Sequence, residues 1–182
     1  YGAYTGEISP TMLKDFCKYV LIGHSERRKY FNETDLIINL KAKAAIDAGL
    51  IPIVCCGETL EERESELTSS VLSKQIYDSL QDLNPSSGLI VAYEPRWAIG
   101  SGVAANPRTA QSAMSHIRMD LENLWCQSIA YDIPILYGGS VTPTNVSVFM
   151  EEPDINGVLV GGASLLIDSF VQIVRKVAEP NN

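Results

Sequence analysis

Several things are scarce in this sequence of 182 residues, and each scarcity narrows what the chain can be. It has two histidines and four cysteines, and Cys17, Cys55, Cys56 and Cys126 form no C-x-x-C pair. That excludes the common zinc spacings and a dense disulfide framework. It also favours a reducing compartment, so the expected location is cytoplasmic and no metal is expected. No apolar run approaches the roughly 18–20 residues needed to cross a bilayer. Basic residues are the minority charge, 14 Lys+Arg against 22 Asp+Glu, for a net charge of −8. Nucleic-acid and anionic membrane surfaces are held by clustered Lys and Arg, so neither is an expected partner. No G-x-G-x-x-G follows a strand with an acidic residue about 20 positions on, which argues against a dinucleotide module. There is no fixed-period repeat and no low-complexity tract. The chain begins with Tyr1 rather than methionine, and its first residues read like the middle of a loop. Any targeting segment would have been upstream.

What is present is an ordinary globular mixture, 46% hydrophobic and 20% charged, long enough for one sizeable core. Short apolar runs alternate with longer amphipathic ones. The runs are Tyr19-Val20-Leu21-Ile22, Ile51-Pro52-Ile53-Val54-Cys55, Leu89-Ile90-Val91-Ala92-Tyr93, Ile133-Pro134-Ile135-Leu136-Tyr137 and Val158-Leu159-Val160. Ser9-Pro10 opens a first helix, with Met12, Leu13, Phe16 and Cys17 on one face. Thr34 caps a second, which Gly49 closes. Thr59 and Glu62 form a capping-box pattern ahead of an acidic helix. Asn106-Pro107 caps a long helix between the third and fourth runs, and Asp168 starts the last. Continuous apolar strands alternating with helices predict an α/β protein with a parallel sheet. Counting alone, five strands fit a doubly wound open sheet better than a barrel of eight.

Polar residues gather where each run stops: Gly23-His24-Ser25-Glu26-Arg27-Arg28, Cys56-Gly57-Glu58, Glu94-Pro95-Arg96-Trp97, Gly138-Gly139-Ser140 and Gly161-Gly162-Ala163-Ser164. These are carboxyl ends of parallel strands, where α/β enzymes build their sites. Two consecutive glycine turns could hold one phosphate through backbone N–H groups, or serve only as tight turns. Glu94, behind a buried strand, suits a general base or a strand-end salt bridge. His24 precedes a helix start at Ser25, whose dipole would lower the imidazole's pKa and keep it neutral. It could equally be a buried hydrogen-bonding residue. His116 reads as a surface or packing residue, Cys55 as a small core residue, and Glu61-Glu62-Arg63-Glu64 as a solvated helix face. The uncharged stretch from Ala98 to Ala104, between Pro95 and Pro107, suits a lid or a plain loop.

Together these stretches resemble the triosephosphate isomerase family. The resemblance rests on Gly2 to Pro10 (GAYTGEISP), Tyr19 to Arg28 (YVLIGHSERR), Cys55 to Glu58 (CCGE), Ala92 to Pro95 (AYEP) with Trp97 to Gly100 (WAIG), Tyr137 to Val141 (YGGSV) and Gly157 to Leu165 (GVLVGGASL). They occur in the family's order across essentially the whole chain. The resemblance implies a TIM (β/α)8 barrel and overturns the open sheet. The five strands would be strands four to eight, and residues 1–182 the C-terminal part of one barrel domain. It further implies interconversion of dihydroxyacetone phosphate and D-glyceraldehyde 3-phosphate through an enediol, without a cofactor. By motif, Glu94 would move the carbon-bound proton, neutral His24 would polarise the carbonyl, and Glu26 would help order the site. Gly100, Ser140, Gly161 and Gly162 would bind the phosphate. Pro95-Arg96-Trp97-Ala98-Ile99-Gly100-Ser101-Gly102 would form the lid. Thr5 would lie near the tip of a loop inserted into a partner subunit, making a homodimer.

The sequence departs from the family in three places. The first three strands, with an Asn-x-Lys motif whose lysine neutralises substrate charge, are absent, a shortfall of about 70 residues against a typical barrel of roughly 250. Arg96 stands at a lid hinge where the family usually has an aliphatic residue. Val103 and Ala104 replace a common Lys-Thr pair. An open five-stranded set exposes two edges, so the chain alone is expected to be inactive and poorly folded. An isomerase of a related tetrulose phosphate, or a non-catalytic truncated remnant, are the alternatives.

Overall fold

The apolar runs become strands because they are bounded by glycine and polar turns and can be covered on both faces. In the computed structural model, which describes residues 2–85, 88–99 and 105–178, they are β1 (Tyr19–Ile22), β2 (Ile51–Cys56), β3 (Ile90–Tyr93), β4 (Ile135–Tyr137) and β5 (Gly157–Val158). All pair in parallel, in the order β1-β2-β3-β4-β5. A doubly wound sheet reverses its strand order at a switch point. This order runs with the chain and never reverses, so the open doubly wound alternative does not describe it. The strands are shorter than three of the runs at one end: Leu89, Ile133 and Pro134 precede the pairing, and Leu159 and Val160 follow it. Cys56 is an addition, held in β2 opposite Tyr93.

The helices are α1 (Pro10–Leu13), α2 (Ser25–Tyr30), α3 (Asp35–Asp47), α4 (Leu60–Glu64), α5 (Thr68–Leu80), α6 (Pro107–Leu124), α7 (Gln127–Asp132), α8 (Val146–Met150) and α9 (Ile167–Ala178). Their starts obey local chemistry. Ser9 and Thr34 accept from Met12 and Ile37 N–H groups. Thr59 and Glu62 cap each other reciprocally, and Asn106 accepts from the N–H of Arg108 ahead of Pro107. Two lengths differ from the sequence reading. α1 ends at Leu13, leaving Phe16 exposed beyond it. The acidic segment splits at Glu66, a non-glycine residue at φ 58°, into α4 and α5.

The core lies between the sheet and its helices. Ile38, Leu72, Ile76, Met114 and Ile117 from α3, α5 and α6 are fully buried, as are Tyr93, Ile135 and Tyr137 from the sheet. Tyr137 stacks on Phe149 of α8 with ring centroids 4.2 Å apart. Arg118 of α6 is buried beneath the sheet, where it donates to the carbonyls of Ala130 and Ile133 and to Asn156 Oδ1. It thereby fixes the approach to β4 and β5. Among the described residues, no helix is long and apolar enough to cross a membrane.

Candidate functional site

The parallel order puts the carboxyl ends of all five strands on one rim. Glu94 is the residue after β3, and its N–H donates to the carbonyl of Cys56 at 2.7 Å. Its side chain is 3% exposed. One oxygen accepts from the backbone N–H of Ser25 at 3.0 Å, and the other lies 3.1 Å from His24 Nε2. Space for this carboxylate is made by two glycines. A Cβ on Gly57 would stand 1.9 Å from the Glu94 carbonyl oxygen, and one on Gly138 would stand 2.9 Å from Glu94 Cγ.

His24 is the N-cap of α2. Its Nδ1 accepts from the N–H of Glu26 at 3.3 Å, which leaves Nε2 as the nitrogen that faces Glu94. The dipole argument predicts a lowered pKa here. The structure reverses that direction: the hydrogen bond to the Glu94 carboxylate raises it, outweighing burial, with smaller contributions from the charges of Glu94 and Glu26. Glu26 itself is exposed, and it touches the ring through its backbone rather than its carboxylate.

The residues after Glu94 are tied to β2 and β4. Pro95 is buried, and Arg96, Trp97 and Ala98 form a 3-10 turn. The N–H of Arg96 donates to the carbonyl of Glu58 at 3.0 Å. Trp97 Nε1 donates to the carboxylate of Glu58 at 2.9 Å, and the Tyr93 hydroxyl donates to it at 3.1 Å. Glu58 is fully buried. Arg63 lies 3.7 Å from it and stacks over the Trp97 ring at 4.3 Å. The segment read as a solvated face therefore sends one side chain inward. The Ser140 hydroxyl donates to the carbonyl of Ala98 at 2.7 Å, joining this turn to the glycine turn after β4. Ile99 ends the described part of the segment, and Gly100, Ser101 and Gly102 lie outside the described residues.

The second glycine turn follows β5. Gly161 and Gly162 are exposed, and a Cβ on either would meet open space, so packing does not require glycine there. Neither turn runs straight into a long helix. Thr142 to Asn145 separate the first from α8, and the second opens a 3-10 turn, Gly162–Leu165, ahead of α9. The pairing of β4 with β5 places the two turns side by side. Thr5 is exposed, in a turn closed by the N–H of Glu7 on the carbonyl of Tyr4.

Two residues beyond the Glu94–His24 pair, Glu33 and His116, show contacts the sequence did not reveal. Glu33 is 7% exposed and meets Arg27 Nε at 2.6 Å and Lys41 Nζ. Its partners lie six and eight positions away, beyond any local pattern. His116 Nε2 lies 2.8 Å from Ser73 Oγ, 3.1 Å from the Ser69 carbonyl and 3.5 Å from Asp120. The nitrogen beside the Ser69 carbonyl is a donor there, so His116 does not take the serine's proton; the Ser73 hydroxyl donates instead to the Asp120 carboxylate at 3.0 Å. Burial pushes the Cys55 thiol well up and that of Cys56 up to about 12, which leaves both unreactive. Among the described residues, no group of His, Cys, Asp and Glu is arranged to hold a metal ion.

A family model described as triosephosphate isomerase matches residues 1–177. A protein named triosephosphate isomerase from Dehalococcoides mccartyi (strain ATCC BAA-2266 / KCTC 15142 / 195) is 53% identical over 178 residues, covering 98% of this chain and 70% of its own length. One of the same name from Geobacter metallireducens is 54% identical over 177 residues, covering 96% and 70%. Another from Syntrophotalea carbinolica is 50% identical over 177 residues, again covering 96% and 70%.

Proposed function

The chain belongs to the triosephosphate isomerase family, and on that footing we propose that Glu94 and His24 carry an aldose–ketose isomerisation of triose phosphates. The observation that bears this reading is the buried Glu94 carboxylate, 3.1 Å from His24 Nε2 at the carboxyl end of β3. Interconversion of dihydroxyacetone phosphate and D-glyceraldehyde 3-phosphate needs a base that removes a proton from one carbon and returns it to the next. It also needs a donor at the oxygens while the enediol exists. Glu94 is the base in this reading and His24 Nε2 the donor. The chain's similarity to enzymes named for this substrate does not favour a tetrulose phosphate isomerase or a non-catalytic remnant.

Ser140, Gly161 and Gly162, on neighbouring strand ends, bind the phosphate in this reading, together with Gly100. Pro95 to Gly102 form the lid, with Glu58 as the acceptor that holds Trp97 in its present place. Glu26 acts on the site through the His24 ring. The five strands are strands four to eight of an eight-stranded barrel, and residues 1–182 its C-terminal part. That is supported by the unreversed order and by β1 and β5 each having one paired neighbour. A homodimer is supported by Tyr4, Ile8, Met12 and Phe16, all exposed around the Thr5 turn. A cytoplasmic location is supported by four free thiols.

Isomerase assays test this on the chain alone and on the chain fused to the part of the Dehalococcoides mccartyi relative that it does not cover. The fusion is expected to turn over dihydroxyacetone phosphate, and the chain alone far less. Glu94→Gln in the fusion should cost about 10²–10⁴ in rate, as removal of a general base does. A folded fusion without turnover would overturn the assignment.

A further inference from the structure

At the carboxyl rim most cations are already neutralised. Arg27 is paired with Glu33 at 2.6 Å, Arg28 with Asp35 at 2.6 Å, and Arg63 with Glu58 at 3.7 Å. Two arginines there are different. Arg96, two residues after Glu94, and Arg108, in the first turn of α6, have side chains with no hydrogen bond or ion pair among the described residues. Their backbones are nonetheless fixed. The Arg96 N–H donates to the carbonyl of Glu58, and the Arg108 N–H to Asn106 Oδ1. The start of α6 is further pinned by the Ala105 N–H donating to the Tyr137 hydroxyl at 3.2 Å, next to the Gly138–Ser140 turn. A cation in the first turn of a helix opposes its dipole, so Arg108 does not serve α6. Local stability therefore explains neither guanidinium.

We propose that Arg96 and Arg108, on either side of residues 100–104, are positioning residues that draw a phosphate dianion to the glycine turns after β4 and β5. The need is set by the protein's own charge of −8 and by the carboxylates of Glu94 and Glu26 on the same rim. Ala98, two residues past Arg96, accepts from the Ser140 hydroxyl at 2.7 Å, and Ala105, three before Arg108, donates to the Tyr137 hydroxyl, which a Cβ on Gly139 would meet at 2.2 Å, so both arginine backbones lie within roughly 10 Å of groups that border the first glycine turn. A phosphate monoester carries about −1.5 to −2 at neutral pH. A guanidinium held about 10 Å from such a charge in water strengthens binding about fourfold at low salt. Screening with a Debye length of about 8 Å cuts this to roughly 1.5-fold at physiological salt. This deepens the isomerase reading by naming what steers its anionic substrate, and it rests on that reading for the identity of the phosphate's bearer.

The test is titration of inorganic phosphate into the protein at low and at physiological salt. It compares the wild type with Arg96→Leu, Arg108→Leu, the double leucine variant and the double lysine variant, each checked for folding by its thermal melt. Each leucine is expected to weaken binding about fourfold at low salt and the double variant about 16-fold, and these effects should shrink to roughly 1.5-fold and twofold at physiological salt. The lysine pair should keep wild-type affinity and salt slope. Wild-type affinity and slope in the folded double leucine variant overturns the proposal, and so does an absence of salt-dependent phosphate binding in the wild type. Phosphate binding and isomerase turnover are both measured in the fusion with the uncovered part of the Dehalococcoides mccartyi relative, where turnover is expected. Arginine-dependent phosphate binding without turnover sinks the isomerase reading and leaves the steering intact. Turnover with a salt profile unmoved by the leucines does the reverse.

Discussion

Glu94 and His24 face each other at 3.1 Å, and the carboxylate sets the chemistry of the imidazole, so a change at Glu94 is readable at His24. Glu94→Gln removes the main cause of the raised His24 pKa and leaves burial, which lowers it. The variant's imidazole should therefore titrate below the wild type's, and the His24 ring protons followed by NMR across pH measure this directly. The stability sign follows. A histidine whose folded pKa is raised stabilises the protein fully below its unfolded pKa, near 6.5, and this is lost as pH rises through the folded value. Denaturant melts from acid to neutral pH should show that loss in the wild type and much less of it in Glu94→Gln. Glu33 has the opposite sign. Burial raises its carboxyl's pKa, but Lys41 and Arg27 more than offset this, and the net direction is down. Its contribution is present above its unfolded value of about 4.5 and is lost as pH falls through the folded value. Glu33→Gln should cost about 1–3 kcal/mol at neutral pH, since it leaves Arg27 and Lys41 without their shared partner. Urea melts of the two proteins at neutral pH and near pH 4 check this, with the gap closing in acid. The candidate pair was legible because both members follow apolar runs and lie in recognisable motifs. Glu33 was not, because its burial is created by a fold that brings residues of α2 and α3 around it. The direction of the His24 shift was not legible either, since a helix start can be read in sequence and a facing carboxylate 70 residues on cannot.

At the scale of elements, caps read well and strand limits read poorly, for one physical reason. Ser9, Thr34, Thr59 and Asn106 each bond to a backbone group two or three residues away, so the sequence contains the whole interaction. A strand ends where its neighbour stops pairing. β5 is therefore Gly157–Val158 although the apolar run continues through Val160. Arg63 is a similar case: its helix was foreseen, but not the buried Glu58 and the Trp97 ring that turn it inward. The tightest junction between elements is Gly57, where β2 leaves the sheet against the first residue after β3. Its missing Cβ would be 1.9 Å from the Glu94 carbonyl oxygen and 2.6 Å from its carbon, both backbone atoms with no rotamer to give way. Gly57→Ala should therefore destabilise the protein by about 3 kcal/mol or more, at the upper end of overpacking costs. It should also move Glu94 away from His24. A lowered urea midpoint together with a His24 titration shifted down would show both. An unchanged midpoint would mean that the β2–β3 junction is looser than its geometry states.

For the whole molecule, the sheet order is the decisive fact. Five parallel strands in chain order with no reversal have two open edges among the described residues, and several apolar side chains of β1 and of the segment after β5 are left nearly half exposed or more. Tyr19 and Leu21 of β1 are 47% and 46% exposed, and Leu165, Leu166 and Ile167 at the start of α9 are more exposed still. The alternation of strands with helices made an α/β sheet legible, but five runs counted alone pointed to the wrong architecture. Only the order of pairing, which no run contains, separates a barrel arc from a doubly wound sheet. If β1 and β5 are edges that meet further strands of a barrel, those side chains should be covered when the strands are supplied. In the fusion with the uncovered part of the Dehalococcoides mccartyi relative, amide exchange should slow in β1, β5 and the first turn of α9, and an apolar dye that binds the chain alone should be displaced. The middle of the sheet offers the control. Val91 and Ala92 of β3 are fully buried between paired neighbours, so any added protection of β3 should come only from a rise in global stability. Protection gained equally everywhere would mean that the fusion stabilises the chain without closing its sheet. Protection gained at β1, β5 and α9 beyond that of β3 would place the new strands at both edges, as a closed barrel requires.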